Sequence, residues 1–341
     1  MRKKIIIASS IIIAIAILIT ALWLYDSLYG KDFKNTETVY LYLDKDDNID
    51  SVKYKLTKLT QTTNQTGFDI IAKHYKLAEN IPTGRYAVKT EDSMTDIVRR
   101  IRAKAQTPVK IVIPSVRTIE DLASRINGKL LIDSAAIAGA FSDTAICRKL
   151  GYTQETVIAL FLPDTYEMWW DCSIETFIRR IKSEHDTFWN EERIKKAQNA
   201  RLSKTEVITL ASIVDEETAN NSEKPDIAGL YINRLNKGMP LQSDPTVKFA
   251  MKDFKLRRIL YKHLETDSPY NTYKNTGLPP GPIRIPSKAG IESVLNYRKH
   301  SYLYMCAKED FSGTHNFATT YTQHLANARR YTNALNKRGI K

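Results

Sequence analysis

Apolar positions change period along this chain, and each period predicts a different element. Residues 5–25 form a stretch of 21 residues without a charge. That predicts one helix able to cross the roughly 30 Å of a bilayer core. Residues 26–35 are polar and read as a connector. Residues 36–43 then alternate apolar and polar as a strand does. Residues 86–90 and 109–113 read as further strands, and Met94, Ile97, Val98 and Ile101, then Ile119, Leu122, Ala123 and Ile126, recur at helical spacing. Residues 36–130 are therefore expected to form a small α+β module.

From about residue 133 the pattern is mainly helical, broken by a turn at Phe161-Leu162-Pro163-Asp164-Thr165-Tyr166. One long helix is expected over 173–200. Ser203 and Glu206 form a capping-box pair that starts the next helix, 204–218, which Asn220-Asn221 closes. Ser222 is expected to cap its partner, whose apolar stripe of Ile227, Ala228, Tyr231, Ile232 and Leu235 ends at Lys237-Gly238. At 100° per residue, Val207, Ile208, Leu210, Ala211, Ile213 and Val214 share one face of the first helix. Glu216 projects from the opposite side and reads as solvated. Asp215 lies at one edge of the apolar face and Glu217 at the other, near the mouth of the hairpin. Partial burial there would raise the Glu217 pKa, as a general acid requires. The plainer reading of a helix-edge glutamate, solvated or ion-paired, stands beside it.

Beyond Gly238 come three segments rich in Pro, Gly, Thr and Tyr, around 241–246, 268–273 and 277–283. Such loops are stiff and can hold amides, hydroxyls and aromatic faces around a cleft, the groups that read sugars. Ordinary turns with Tyr270 and Tyr273 in the core are the alternative.

Charge and composition settle where this chemistry would operate. Arg2, Lys3 and Lys4 precede the apolar span, so the positive-inside rule puts residues 1–4 in the cytoplasm and the body outside it. A cleaved signal peptide is the competing reading, but the span is longer than a secretory apolar core and lacks small residues at its end. The net charge of +13 suits an acidic polymer or a membrane surface. Nucleic acid is disfavoured by the outward topology, and no phosphate-binding glycine loop appears among the 13 glycines. Three scattered cysteines and six histidines without ligand spacing give no disulfide framework and no metal site. No cofactor is expected.

The residues Leu210-Ala211-Ser212-Ile213-Val214, Glu217-Thr218, Asn233-Arg234-Leu235, Gly238-Met239, 241–247, 268–273 and 277–283, in this order between Phe161 and the Gly313-x-His315-x-Phe317 triplet, resemble the endolytic murein transglycosylase, or YceG-like, family. The resemblance implies an α+β protein with an N-terminal transmembrane helix, a LysM-like module within 36–130 (most like it around 86–127) and a mixed α+β catalytic domain over 131–341. It implies a single-pass protein of the bacterial inner membrane that cuts nascent peptidoglycan between N-acetylmuramic acid and N-acetylglucosamine. The product end is 1,6-anhydro-muramoyl, and penicillin-binding protein synthases are implied as partners. Glu217 matches the family's catalytic glutamate. Gln242, Ser243, Asp244, Thr246, Tyr270, Asn271 and Tyr273 match its cleft motifs as substrate-binding candidates. Two departures stand out: Asp215 replaces a glutamate common in the family, and the turn before Phe161 lacks its usual Glu-Gly pair. A peptidoglycan hydrolase using Asp244 or Asp215 as second carboxylate and a noncatalytic peptidoglycan-binding scaffold are the alternatives.

Overall fold

A computed structural model describes residues 2–256 and 259–339. Met1, the first residue of the basic tip, and Ile340 and Lys341, the last of the 131–341 segment, lie outside the described residues. The chain divides into two compact units. The first holds Met1–Ile111, Gly128–Ile132 and Glu167–Ser173; the second holds Val112–Asn127, Asp133–Tyr166 and Ile174–Lys341.

In the first unit the apolar span is helix α1, Arg2–Tyr29, long and apolar enough to cross a membrane. It runs past the expected end at residue 25, because Asp26–Tyr29 is docked and not free connector. Ser27 is buried, and the carbonyls of Ser27 and Leu28 accept bonds from Asn64 and Thr95, each 2.6 Å long. Strand β1 (Val39–Leu43) pairs antiparallel with β2 (Gly84–Val88), Val39 opposite Val88. Two helices between them, α2 (Ile49–Thr60) and α3 (Gln65–His74), escaped the sequence reading. Asn48 and Asn64 cap them, and they bury Val52, Leu56, Phe68 and Ile71 against Leu41, Leu43 and Tyr86. Helix α4 (Met94–Arg102) closes this core with Met94, Ile97, Val98 and Ile101. Strand β3 follows at Val109–Ile113.

Helix α5 (Ile119–Ile126), read from sequence with the small module, belongs to the second unit, where it packs on α6 (Ser134–Ser142). Then come α7 (Thr144–Leu150) and strand β4 (Asp164–Met168). The single helix expected over 173–200 is two, α8 (Ile174–Phe188) and α9 (Glu191–Asn199), because Asn190 caps a new start on the amide of Arg193. Helix α10, Lys204–Glu217, is the centre of the unit and begins at the Ser203–Glu206 capping box. Its eight consecutive residues Val207 to Val214 are all buried. Helix α11 (Lys224–Asn236) starts with Pro225 in its first turn, so its N-cap is Glu223 and not Ser222. Helices α12 (Asp244–Met251), α13 (Tyr261–Leu264) and α14 (Lys288–Leu295) follow. Strands β5 (Tyr304–Ala307) and β6 (His315–Ala318) pair antiparallel, and α15 (Tyr321–Lys337) packs on both.

The burial of α10 corrects the amphipathic reading. A helix packed on all sides has no solvated face. Ser212 is fully buried; its hydroxyl donates to the Thr209 carbonyl and accepts from the Ile283 amide at 3.0 Å. Glu216 is likewise not solvated: it accepts from Arg117 at 2.8 and 3.0 Å and from Arg284 at 2.7 Å.

Candidate active site

Glu217 is the last residue of α10 and lines a cavity of about 640 Å³ together with Tyr231 and Arg234 of α11, Gln242 and Asp244, Tyr273, and His315 of β6. The Tyr231 hydroxyl donates to Glu217 Oε1 at 2.6 Å, and the Ser243 hydroxyl donates to the same oxygen at 2.5 Å. No lysine or arginine pairs with Glu217 among the described residues. Burial raises its pKa above the ordinary carboxyl value. The Ser243 and Tyr231 bonds act the other way, the Asp244 carboxylate adds to the rise, and His315 opposes it. Oε1 is occupied as an acceptor by two hydroxyls, so the proton of the neutral acid belongs on Oε2. A group so arranged can give a proton to a ligand oxygen and take one back.

The surrounding wall is fixed by bonds among loop residues, some lining the cavity and some standing behind it. Ser243 is held by its amide on the Thr272 hydroxyl at 3.0 Å and by Thr246, which is fully buried and donates to the Ser243 carbonyl at 2.7 Å. Asn271 is also fully buried; its amide group ties the carbonyls of Leu264 and Thr266, both at 2.8 Å, and its oxygen accepts from the Tyr273 amide at 3.0 Å. Gln242 has φ of +52°, in the left-handed region that costs a residue with a side chain about 1–3 kcal/mol. Its amide on the Thr272 carbonyl at 3.0 Å and its side chain on Arg234 hold it there. Tyr273 donates to Asp244 Oδ1 at 2.7 Å.

Of the seven binding candidates, Gln242, Asp244 and Tyr273 thus line the Glu217 cavity, Ser243 bonds the carboxyl itself, and Thr246 and Asn271 brace the loops. Tyr270 stands elsewhere, packed on Phe249 at 4.8 Å and lining a separate cavity of about 310 Å³. Gly277 to Pro280 of the third loop line another, of about 460 Å³. The first half of α12 also occupies what reads as loop in the sequence, since Pro245 fits a first helical turn.

Tyr231, Arg234 and His315 line the cavity although the sequence offered no role for them: Tyr231 reads as part of the apolar stripe of α11, and Arg234 and His315 only as members of the family-like motifs. Tyr231 is a core residue whose hydroxyl reaches Glu217, and the only hint was a polar atom in an otherwise apolar stripe. His315 carries its Nδ1 2.9 Å from Glu223 Oε2, while its backbone amide donates to Glu223 Oε1 at 2.6 Å.

A carboxyl whose pKa burial raises, gripped by two hydroxyls at a cavity wall, defines a candidate acid–base site on a mixed α+β body. Comparison with known proteins gives the lineage: a YceG-like family model matches residues 41–330, and the chain belongs to that family. It is 38% identical to the endolytic murein transglycosylase of Bacillus subtilis over 168 residues, 49% of this chain and 46% of that one. It is 26% identical to the endolytic murein transglycosylase of Streptococcus pneumoniae, over 92% of this chain and 62% of that one. The chain therefore spans less than two thirds of the length of either relative. The crystal structure of a yceG-like protein from Listeria monocytogenes matches with a TM-score of 0.56 and 28% identity, covering 86% of this chain and 99% of that one.

Proposed function

We propose that this protein is an endolytic lytic transglycosylase of peptidoglycan, with Glu217 as its one acid–base group. The observation that carries the reading is the state of the carboxylates near the end of α10. Asp215 is taken up by Lys224 at 2.7 Å and by Ser287, Glu216 by two arginines, and of these three Glu217 alone lines the cavity among the described residues; the other carboxylate there, Asp244, is held by the Tyr273 hydroxyl at 2.7 Å. A hydrolase of the retaining kind needs a second carboxylate about 5–5.5 Å away as nucleophile. A transglycosylase needs only one. Glu217 protonates the glycosidic oxygen as the bond from the muramoyl C1 to that oxygen breaks. The resulting carboxylate then takes the proton from the C6 hydroxyl as O6 bonds to C1, so the acid is regenerated and no water is consumed. A hydroxyl on the same ring outcompetes water through its high effective molarity.

The names of the two relatives support murein as the substrate. In this reading α1 anchors the chain in the cell membrane with its basic tip inside and its body outside, beside the penicillin-binding protein synthases that the resemblance implies. The β1–α2–α3–β2 arrangement over residues 39–88 is the part of the chain that supports a LysM-like role, ahead of the segment 86–127. Gln242, Asp244 and Tyr273 are the substrate-facing candidates, with Ser243, Thr246 and Asn271 holding the wall.

The test is to digest purified glycan strands with the full-length protein in detergent and weigh the products. Fragments whose masses sum to that of the strand, ending in anhydro-muramic acid, are expected. Fragments heavier by one water, with free reducing ends, would overturn the transglycosylase reading and favour hydrolysis.

A further inference from the structure

Arg234 is a buried cation without a carboxylate. It is 7% exposed, makes no ion pair among the described residues, and spends one of its five donors on Gln242 Oε1. Its Nε–H is buried and has no acceptor among the described residues. Tyr304 lies beside the guanidinium, with its ring centroid 5.6 Å away. Burial lowers the Arg234 pKa, a sign that the charge has little local compensation. A buried guanidinium with donors to spare costs stability unless an acceptor arrives. The strained Gln242 backbone holds that group in position at the wall of the cavity that Glu217 lines.

We infer that Arg234 selects which glycosidic bond is cut, by binding a carboxyl oxygen of the lactyl ether that only the muramoyl sugar carries. The inference rests on the transglycosylase reading above. In a strand of alternating N-acetylglucosamine and N-acetylmuramic acid, the two ring types share the N-acetyl group and differ at O3. An enzyme that cuts only on the reducing side of the muramoyl ring must read that difference within one sugar of the acid. Tyr231, which holds Glu217, and Arg234 are three residues apart on α11 and so project as neighbours from one helix face. The acid at C1 and the guanidinium at the O3 substituent can therefore engage one ring. The acceptor is a carboxylate on a bare strand and an amide carbonyl where a peptide is attached; guanidinium serves both, more strongly for the carboxylate. Asp244, on the same wall, disfavours anions in general, so Arg234 must outweigh it at this position.

The experiment compares binding of matched hexasaccharides to the full-length protein in detergent, carrying Glu217→Gln so that nothing is cleaved. The ligands are a bare alternating muramoyl strand, the same strand with its lactyl carboxyl converted to the methylamide or reduced to the alcohol, and a chitin fragment. With Arg234 intact, the bare strand should bind about tenfold to a hundredfold tighter than chitin, the range expected of a charge-assisted bond. Reduction to the alcohol should bring binding to the chitin level. A methylamide of intermediate affinity supports recognition of both forms, and one at the chitin level supports recognition of the carboxylate alone. Arg234→Met should erase the preference while chitin binding persists, and Arg234→Lys should keep part of it. A preference that survives in Arg234→Met overturns the inference. If that variant fails to fold, the reduced ligand decides on the protein with Arg234 intact: undiminished affinity after reduction overturns it equally. Absence of binding to every glycan would overturn the inference together with the transglycosylase reading, whereas equal binding of muramoyl strand and chitin would sink the inference alone.

Discussion

The two sides of the last turn of α10 carry the same chemistry and put it to opposite uses. Behind the helix, Asp215 is buried against Lys224 and Ser287, and Glu216 bridges Arg117 and Arg284. In front, Glu217 has, among the described residues, only the hydroxyls of Tyr231 and Ser243. All three sit at a helix C-terminus, where the partial negative charge of the unpaired carbonyls disfavours anions. Cations offset this for the first two, whereas Glu217 has no such partner among the described residues and burial raises its pKa. Consecutive residues of one sequence run thus divide into a structural clamp and the proposed acid–base group, according to which partners other elements bring.

The clamp can be broken most severely at Asp215. Asp215→Ala strands the Lys224 ammonium, 7% exposed at its side chain, and is expected to cost about 3–5 kcal/mol in urea unfolding of the full-length protein in detergent. A cost below about 1 kcal/mol, the scale of a surface pair, would show that the clamp is not structural. Glu216→Gln keeps the shape but removes the charge between two arginines, and about 1–2 kcal/mol of stability should go with it. Cleavage per folded molecule should hold in that variant. A loss of cleavage at Glu216 matching that at Glu217 would erase the distinction between the two sides.

On the Glu217 side, removing the Tyr231 partner acts more gently, through pH dependence. The Tyr231 bond lowers the Glu217 pKa, so Tyr231→Phe should raise it further and move the basic limb of the kcat/KM profile to higher pH. A limb that stays in place or moves down would show that Glu217 is not the group titrating. The smallest effect concerns folding. A carboxyl whose folded pKa is raised contributes its stability below the ordinary value of 4.5 and loses it as pH rises through the folded value. Glu217→Gln should therefore gain in melting temperature relative to the unsubstituted protein between acid and neutral pH. A gap that stays constant over that range would contradict the raised pKa.

How much of this was legible in the sequence depended on whether the partners were local. The Ser203–Glu206 cap and the apolar run from Val207 to Val214 fixed α10 and put Glu217 at its end, because both signals lie within the helix. The surroundings of Glu216 were misread for the converse reason. Arg117 is 99 residues away and Arg284 is 68, and helical phase knows nothing of other elements. The role of Tyr231 was hidden because its ring satisfies an apolar stripe, and Arg234, though part of a family-like motif, gave no sign of which group it faces. The loops after Gly238 announced themselves by Pro and Gly, yet which of their side chains face the cavity was set by packing. Thr246 and Asn271 turned inward, and Tyr270 went to another wall. Helices α2 and α3, each short and capped by an asparagine, needed the β1–β2 pair before their apolar positions had a face to cover.

The central claim is that Glu217 is the acid, and the most direct test is glycan cleavage by the full-length Glu217→Gln protein set against its melting curve. Gln retains an oxygen for Tyr231 and Ser243 but has no proton to give. Cleavage should therefore fall by at least the ~10² typical of a lost acid–base group, in a protein that melts no lower than the unsubstituted one. Cleavage close to the unsubstituted rate in a folded Glu217→Gln protein would contradict the account.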